Sequence, residues 1–186
     1  AVSSAGDINN DGLGDILIGA STVNSGAGAV YIIFGRNVPG GDPSFIDINL
    51  ASGLANTAGF TILGAAASDN AGCAVSAAGD VNGDGIDDIL IGASMADPPA
   101  LAPTSNAGIS YVVFGRDVKK SGVPFTDYNL GSSISPSTGF RMMCGSASGN
   151  CGVSVAGIGD INGDGVDDVI TGASGVSTGI GAAYIV

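Results

Sequence analysis

The chain has 186 residues, 33 of them glycine, with no His or Trp and a formal net charge of −12. That length suits one ordinary domain, and five Lys and Arg scattered along it cannot line a phosphate-neutralising surface, which excludes nucleic-acid binding. Mean hydropathy is positive without any long apolar run, so no membrane-spanning helix is predicted. Glycine without a three-residue period excludes collagen, and many β-branched residues exclude disorder.

Short apolar runs bounded by Gly, Asn, Asp and Ser predict strands throughout. In chain order they cover residues 2–5, 15–19, 29–34 and 60–63, then 73–78, 88–92, 110–114 and 140–144, then 153–157, 168–172 and 182–186. Between the first two strands of each group lies one motif: DINNDGLGD from Asp7, DVNGDGIDD from Asp80 and DINGDGVDD from Asp160. Oxygen-bearing side chains stand at loop positions one, three, five and nine. They are Asp7, Asn9, Asp11 and Asp15; Asp80, Asn82, Asp84 and Asp88; Asp160, Asn162, Asp164 and Asp168. Odd spacing in a curled loop turns alternate side chains to one centre, where Ca²⁺ takes six to eight oxygens. Gly12, Gly85 and Gly165 fill position six, where the chain must bend sharply. Leu13, Ile86 and Val166 at position seven would offer backbone carbonyls. One copy alone could be a plain acidic turn; three in register predict three calcium sites.

An EF-hand would close with Glu at position twelve and lie between helices. Here position twelve is Ile18, Ile91 and Thr171, the chain contains no Glu, and both flanks read as strands. The loop is therefore a connection between two strands. Eleven of the seventeen Asp lie in the three loops, so the acidity belongs mainly to metal sites, and three Ca²⁺ would halve the net charge.

The spacing is regular. Asp7 to Phe34 is 27 residues, Phe34 to Phe60 is 26 and Phe60 to Asp80 is 20; the next copy gives 34, 26 and 20. The extra seven residues fall in MADPPALAPTSNAG, residues 95–108. Four strands repeated at a fixed period predict all-β architecture built from β-propeller blades. The expected units are 1–63 (loop 7–15), 64–144 (loop 80–88) and 145–186 (loop 160–168, last strand missing), all in one propeller domain. The long connection between third and fourth strands also repeats, with Arg36/Arg116, Phe45/Phe125, Asp47/Asp127 and Leu50/Leu130. It is expected to be an ordered plug on its blade. Tyr31, Tyr111 and Tyr184 share one position of the third strand and are expected to pack. Cys73 reads as a small buried side chain. Cys144 and Cys151 bracket GSASGN and could meet across a hairpin in an oxidising compartment; both the bonded and the free state fit the sequence.

Phe34-Gly35 and Phe114-Gly115, with Gly19-Ala20, Gly92-Ala93 and Gly172-Ala173 and the DxNGDGxxD loop, resemble the FG-GAP repeats of the integrin α-subunit propeller. The resemblance covers the whole chain. It implies a seven-bladed ring in which the loop between a blade's first two strands binds Ca²⁺. Fewer than three units stand here, and Val186 falls one residue short of the expected Phe. An open stack would leave apolar edges uncovered, so the expectation is a fragment of a longer chain or of a larger assembly, with self-association into a ring as the alternative.

Three carboxylates in one loop repel unless a cation sits among them, and no flanking helix could open, so a structural rather than switching calcium is expected. The resemblance and the calcium loops together imply an extracellular or cell-surface adhesion or scaffold module that presents loops to a protein or glycan; residues 95–108 are the candidate contact, with an inert Pro-rich insertion or an O-glycosylated loop as the equal alternative. An accessory propeller domain of a secreted hydrolase, lyase or phospholipase is the alternative from another class. Catalysis within the chain itself is not expected: there is no His or Glu, and the paired carboxylates Asp87–Asp88 and Asp167–Asp168 each include a metal-ligand candidate. A carbohydrate-binding propeller is the third reading, with Tyr128 as its aromatic candidate.

Overall fold

The computed structural model describes residues 1–37, 48–98, 106–131 and 134–186. Phe45, Asp47 and residues 99–105 of the expected contact loop lie outside the described residues. Among those described, twelve strands form three sheets. The first is β1 (Val2–Gly6), β2 (Asp15–Ala20), β3 (Ala29–Ile33) and β4 (Gly59–Leu63), in that order. The second is β5 (Ala71–Gly79), β6 (Asp88–Ala93) and β7 (Ile109–Val113); after a two-residue strand, β8 (Tyr128–Asn129), it is completed by β9 (Gly139–Met143). The third is β10 (Cys151–Gly159), β11 (Asp168–Ala173) and β12 (Ala182–Ile185). Neighbouring strands within each blade are antiparallel, and the three sheets stack as successive blades without closing a ring. No helix among the described residues is long and apolar enough to cross a membrane.

All eleven strands expected from the sequence are present, with ends shifted by two residues at most. The register repeats as well: Tyr31 faces Ile18, Tyr111 faces Ile91 and Tyr184 faces Thr171. The twelfth strand, β8, belongs by sequence to the second blade but pairs with β4 of the first, in parallel. The long connection therefore plugs the preceding blade rather than its own. Asp127 accepts the Thr61 N–H at 2.6 Å, and Leu130, buried, donates its N–H to the Leu63 carbonyl at 2.9 Å. The sequence offers no sign of this partner, because a plug that recurs in both of the first two units looks the same whichever blade it covers.

Blades are held together by apolar burial. Leu17, Ile32, Phe60 and Ile62 of the first blade share one cluster with Ile89, Ile91, Tyr111 and Val113 of the second. Ala78, Leu90, Val112 and Met142 of the second blade pack with Val169 of the third. Close approach depends on the Gly-Ala glycines. A Cβ on Gly19 would run into the Gly72 carbonyl, and one on Gly92 into the Gly152 carbonyl, each on the first strand of the next blade. The motif glycine is thus a blade-contact residue. Polar staples add to it: the Ser110 and Thr171 hydroxyls lie 2.6 Å apart, both fully buried, and Thr171 accepts the Gly152 N–H at 3.1 Å.

Cys144 and Cys151 are bonded, with Cα atoms 5.7 Å apart. Their turn is not a hairpin within one sheet. It carries the chain from β9 of the second blade to β10 of the third, so the bond ties two blades. Cys73 is free and only partly buried, its thiol facing the Gly92 and Gly152 carbonyls.

Candidate metal centre

Each acidic loop leaves one strand and enters the next through a shared set of hydrogen bonds, to which the second and third loops add one from the position-four N–H to the first Asp carboxylate. Asp7 Oδ1 accepts the Asp11 N–H and Oδ2 the Gly12 N–H; Asn9 Oδ1 also accepts from Asp11, and Asp11 Oδ1 accepts from Leu13. In the second loop Asp80 takes the N–H groups of Gly83, Asp84 and Gly85, Asn82 that of Asp84, and Asp84 that of Ile86. The third loop repeats this with Asp160, Asn162, Asp164 and Val166. Gly12, Gly85 and Gly165 have φ of 93°, 84° and 94°, and a Cβ at any of them would meet open space. These glycines therefore serve the backbone bend rather than close packing.

Position nine is the anchor. Asp15, Asp88 and Asp168 are buried, and each begins a strand. One oxygen of each accepts the N–H of position two, from Ile8, Val81 and Ile161. The other oxygen of Asp15 accepts the Gly35 N–H at 2.7 Å, and that of Asp88 the Gly115 N–H at 2.8 Å. Those donors are the glycines of Phe-Gly, at the end of the third strand. A Cβ on Gly35 would strike the Gly14 carbonyl, and one on Gly115 the Asp87 carbonyl. The loop, its own strand and the third strand are therefore fixed by one carboxylate. The distant Phe-Gly and the Asp loop co-occur because the glycine N–H lands on that carboxylate.

Position eight joins blades. Asp87 Oδ2 accepts the N–H of Asp7, the first residue of the preceding loop, at 2.7 Å. Asp167 Oδ2 does the same for Asp80 at 2.9 Å, and the Asp167 N–H donates to the Asp80 carbonyl at 3.0 Å. The carboxylates fill the space beside the α-carbons of Gly6 and Gly79, both at positive φ, where a side chain would collide. The only signal was an Asp at position eight in two copies against Gly14 in the first. The first loop is covered further by the segment after β7. There Arg116 N–H donates to the Ile8 carbonyl, Val118 N–H to that of Asn9 and the Lys119 ammonium to that of Asp11.

The donor set fits a hard cation. All candidate side-chain ligands are carboxylates or amide oxygens, and they concentrate charge at one end of the blades. Burial is the main reason that the Asp15 carboxyl is pushed up to about 6 and that of Asp88 to about 7; nearby Asp11, Asp7, Asp84 and Asp80 push the same way. Asp160 is fully exposed, and the Gly165 and Gly163 N–H groups hold it below the usual carboxylate range. The carboxylates are spent on loop N–H groups, and no three acidic or thiol side chains among the described residues converge as a cage. Each oxygen keeps a second lone pair for a cation.

Known families supply one comparison. A family model described as FG-GAP repeat matches residues 1–33, 74–113 and 152–186. These stretches hold all three acidic loops. No curated protein matches the chain.

Proposed function

Because the chain belongs to the FG-GAP repeat family, we propose that this propeller module of the integrin type is stiffened by Ca²⁺ and works outside the cell in adhesion or scaffolding. Its partner in this reading is a protein or a glycan. Asp7, Asn9, Asp11, Asp15 and the Leu13 carbonyl would hold the ion of the first loop. Asp80, Asn82, Asp84, Asp88 and the Ile86 carbonyl would hold the second, and Asp160, Asn162, Asp164, Asp168 and the Val166 carbonyl the third. A bound cation supplies the positive charge that offsets repulsion among three carboxylates in one short loop. The observation that carries this reading is the position-nine Asp, locked both to its own loop and to the Phe-Gly glycine. Ordering the loop thereby orders two strands of the blade. The Cys144–Cys151 bond supports an oxidising compartment. The module acts without catalysis of its own, in keeping with a chain that has neither His nor Glu.

Calorimetric melting with Ca²⁺ and with a chelator tests the metal. If extracellular-type sites have Kd near roughly 10⁻³ M, a tenfold excess stabilises each by about 1.4 kcal/mol, or about 4 kcal/mol for three. For a chain of this size that is a melting shift of about 10 °C. Superimposable curves would remove calcium from the reading. Cells should attach to a surface coated with the chain in Ca²⁺; attachment no better than to an albumin coat would remove adhesion and leave the calcium result standing.

A further inference from the structure

Neighbouring acidic loops are bonded directly to each other, in both cases from position eight of one loop to position one of the loop before. Asp87 stands between Ile86 and Asp88, whose carbonyl and carboxylate are candidate ligands of the second loop. Its own carboxylate reaches back to the first loop, where Oδ2 accepts the Asp7 N–H at 2.7 Å. Asp7 is the first candidate ligand there, and its two oxygens take the N–H groups of Asp11 and Gly12. It is therefore held by its own loop through the side chain and by the next loop through the backbone. The arrangement recurs one blade on. Asp167, between Val166 and Asp168, accepts the Asp80 N–H at 2.9 Å and returns its own N–H to the Asp80 carbonyl at 3.0 Å. These two loops also lie against each other, since a Cβ on Gly83 would come within 3.2 Å of Val166 Cγ1.

Such a link makes order in one loop useful to its neighbour. A cation that takes oxygens from positions seven and nine also fixes the residue between them. Without it, Asp80, Asp84 and Asp88 repel one another, and presenting Asp87 to Asp7 costs conformational entropy each time. An ion in the second loop meets that cost in advance, so the first loop finds Asp7 already positioned. By linkage the gain runs both ways. Two effects set its size. A hydrogen bond to a charged acceptor that is half-buried, as Asp87 and Asp167 are, is worth about 5- to 30-fold in an equilibrium. Against it, two divalent ions on packed sheets about 10 Å apart weaken each other about twofold in physiological salt. The hydrogen bond wins, leaving a net coupling of about 3- to 15-fold.

Resting on the calcium reading above, we propose that the three loops bind Ca²⁺ cooperatively, with Asp87 and Asp167 as the positioning residues that carry order from each loop to the one before. Neither residue need touch an ion. Each converts the filling of one site into a better-placed first ligand at its neighbour. Three separate metal sites thereby act as one response, and the blades stiffen together over a narrower range of calcium concentration than independent sites would allow.

Stepwise addition of Ca²⁺ to the whole chain, followed by NMR, tests the coupling. The Gly12, Gly85 and Gly165 amides each donate to the first Asp of their loop, at 2.8, 2.8 and 2.9 Å, and so report the three loops separately. Asp84→Ala removes a candidate ligand whose hydrogen bonds lie within the second loop. It should nevertheless raise the calcium midpoint read at Gly12 about 3- to 15-fold, with no residue of the first loop changed. In an Asp87→Ala background the same substitution should move Gly12 by about twofold at most, because the link is gone, whereas plain structural damage would persist there. Asp87→Asn keeps an acceptor for the Asp7 N–H and should restore part of the effect. Asp84→Asn, of the same shape, gives the same comparison should the alanine variant not fold. A Gly12 midpoint unmoved by Asp84→Ala, or moved as far in the Asp87→Ala background, would overturn the coupling and leave calcium binding standing. No calcium-dependent shift at any of the three glycines would remove the calcium reading and the coupling with it.

Discussion

Replacing Asp87 by Ala should unlatch the first two blades. Its carboxylate takes the Asp7 N–H at 2.7 Å and fills the space beside Gly6, which has φ +69°. A hydrogen bond to a charged acceptor contributes about 1.5–3 kcal/mol when enclosed. Asp87 is half-buried, so water can partly replace it, and about 1–2 kcal/mol is the working figure. In a urea titration this appears as a lower midpoint with an unchanged slope. The Asp7 amide gives a second, local reading: losing its acceptor should speed hydrogen exchange about 5- to 30-fold for the same free energy. Asp87→Asn keeps an acceptor without the charge and should fall between the two. Gly14→Asp places the same residue at position eight of the first loop, where nothing lies near a Cβ; it should leave stability within about 0.5 kcal/mol. An unchanged Asp7 exchange rate in Asp87→Ala would refute the latch, whatever the global stability does.

Three further outcomes follow from the same contacts. Cys144→Ser opens a loop with a sequence separation of 7 between the second and third blades and should cost about 2 kcal/mol by chain entropy, read as a lower melting temperature without reductant. Gly92→Ala drives a methyl into the Gly152 carbonyl and should cost about 1–3 kcal/mol; equal stability would show that the blades can separate freely at that point. The buried Asp69 accepts the Ala66 N–H, and its carboxyl is raised above 3.8, first by burial and then by Asp97. Its ionisation opposes folding at neutral pH, and the penalty is relieved as pH falls through the folded pKa towards 3.8. Asp69→Asn should lack that gain, so the stability difference between variant and parent should narrow with acidification; a difference constant with pH would contradict the assignment.

Most of the architecture was legible because it rests on local chemistry that repeats. Turn residues alternating with β-branched runs marked the strands, and the loop positions reappear as a hydrogen-bonded set because Asp, Asn and Gly at those spacings satisfy their own loop's N–H groups. The partners of Asp87, Asp127, Asp167 and Arg116 were not legible. Each of the three Asp acts on the preceding blade across 66 to 87 residues, and Arg116 faces a cavity that two blades build together. Periodicity tells which residues are equivalent; it is silent on which copy touches which.

The six residues DILIGA make the division plain, since they occur as both β2 and β6. Sequence alone determined that each is a strand, opened by the last Asp of an acidic loop and running into the Gly-Ala of the repeat motif. Burial was decided elsewhere. Every residue of β6 is buried, because a blade packs on each face of its sheet, whereas Ile16 of β2 is 51 % exposed, with a blade on one face only. Identical side chains carry the same hydrophobicity into both places, and only the surface that meets them sets how much of it leaves water.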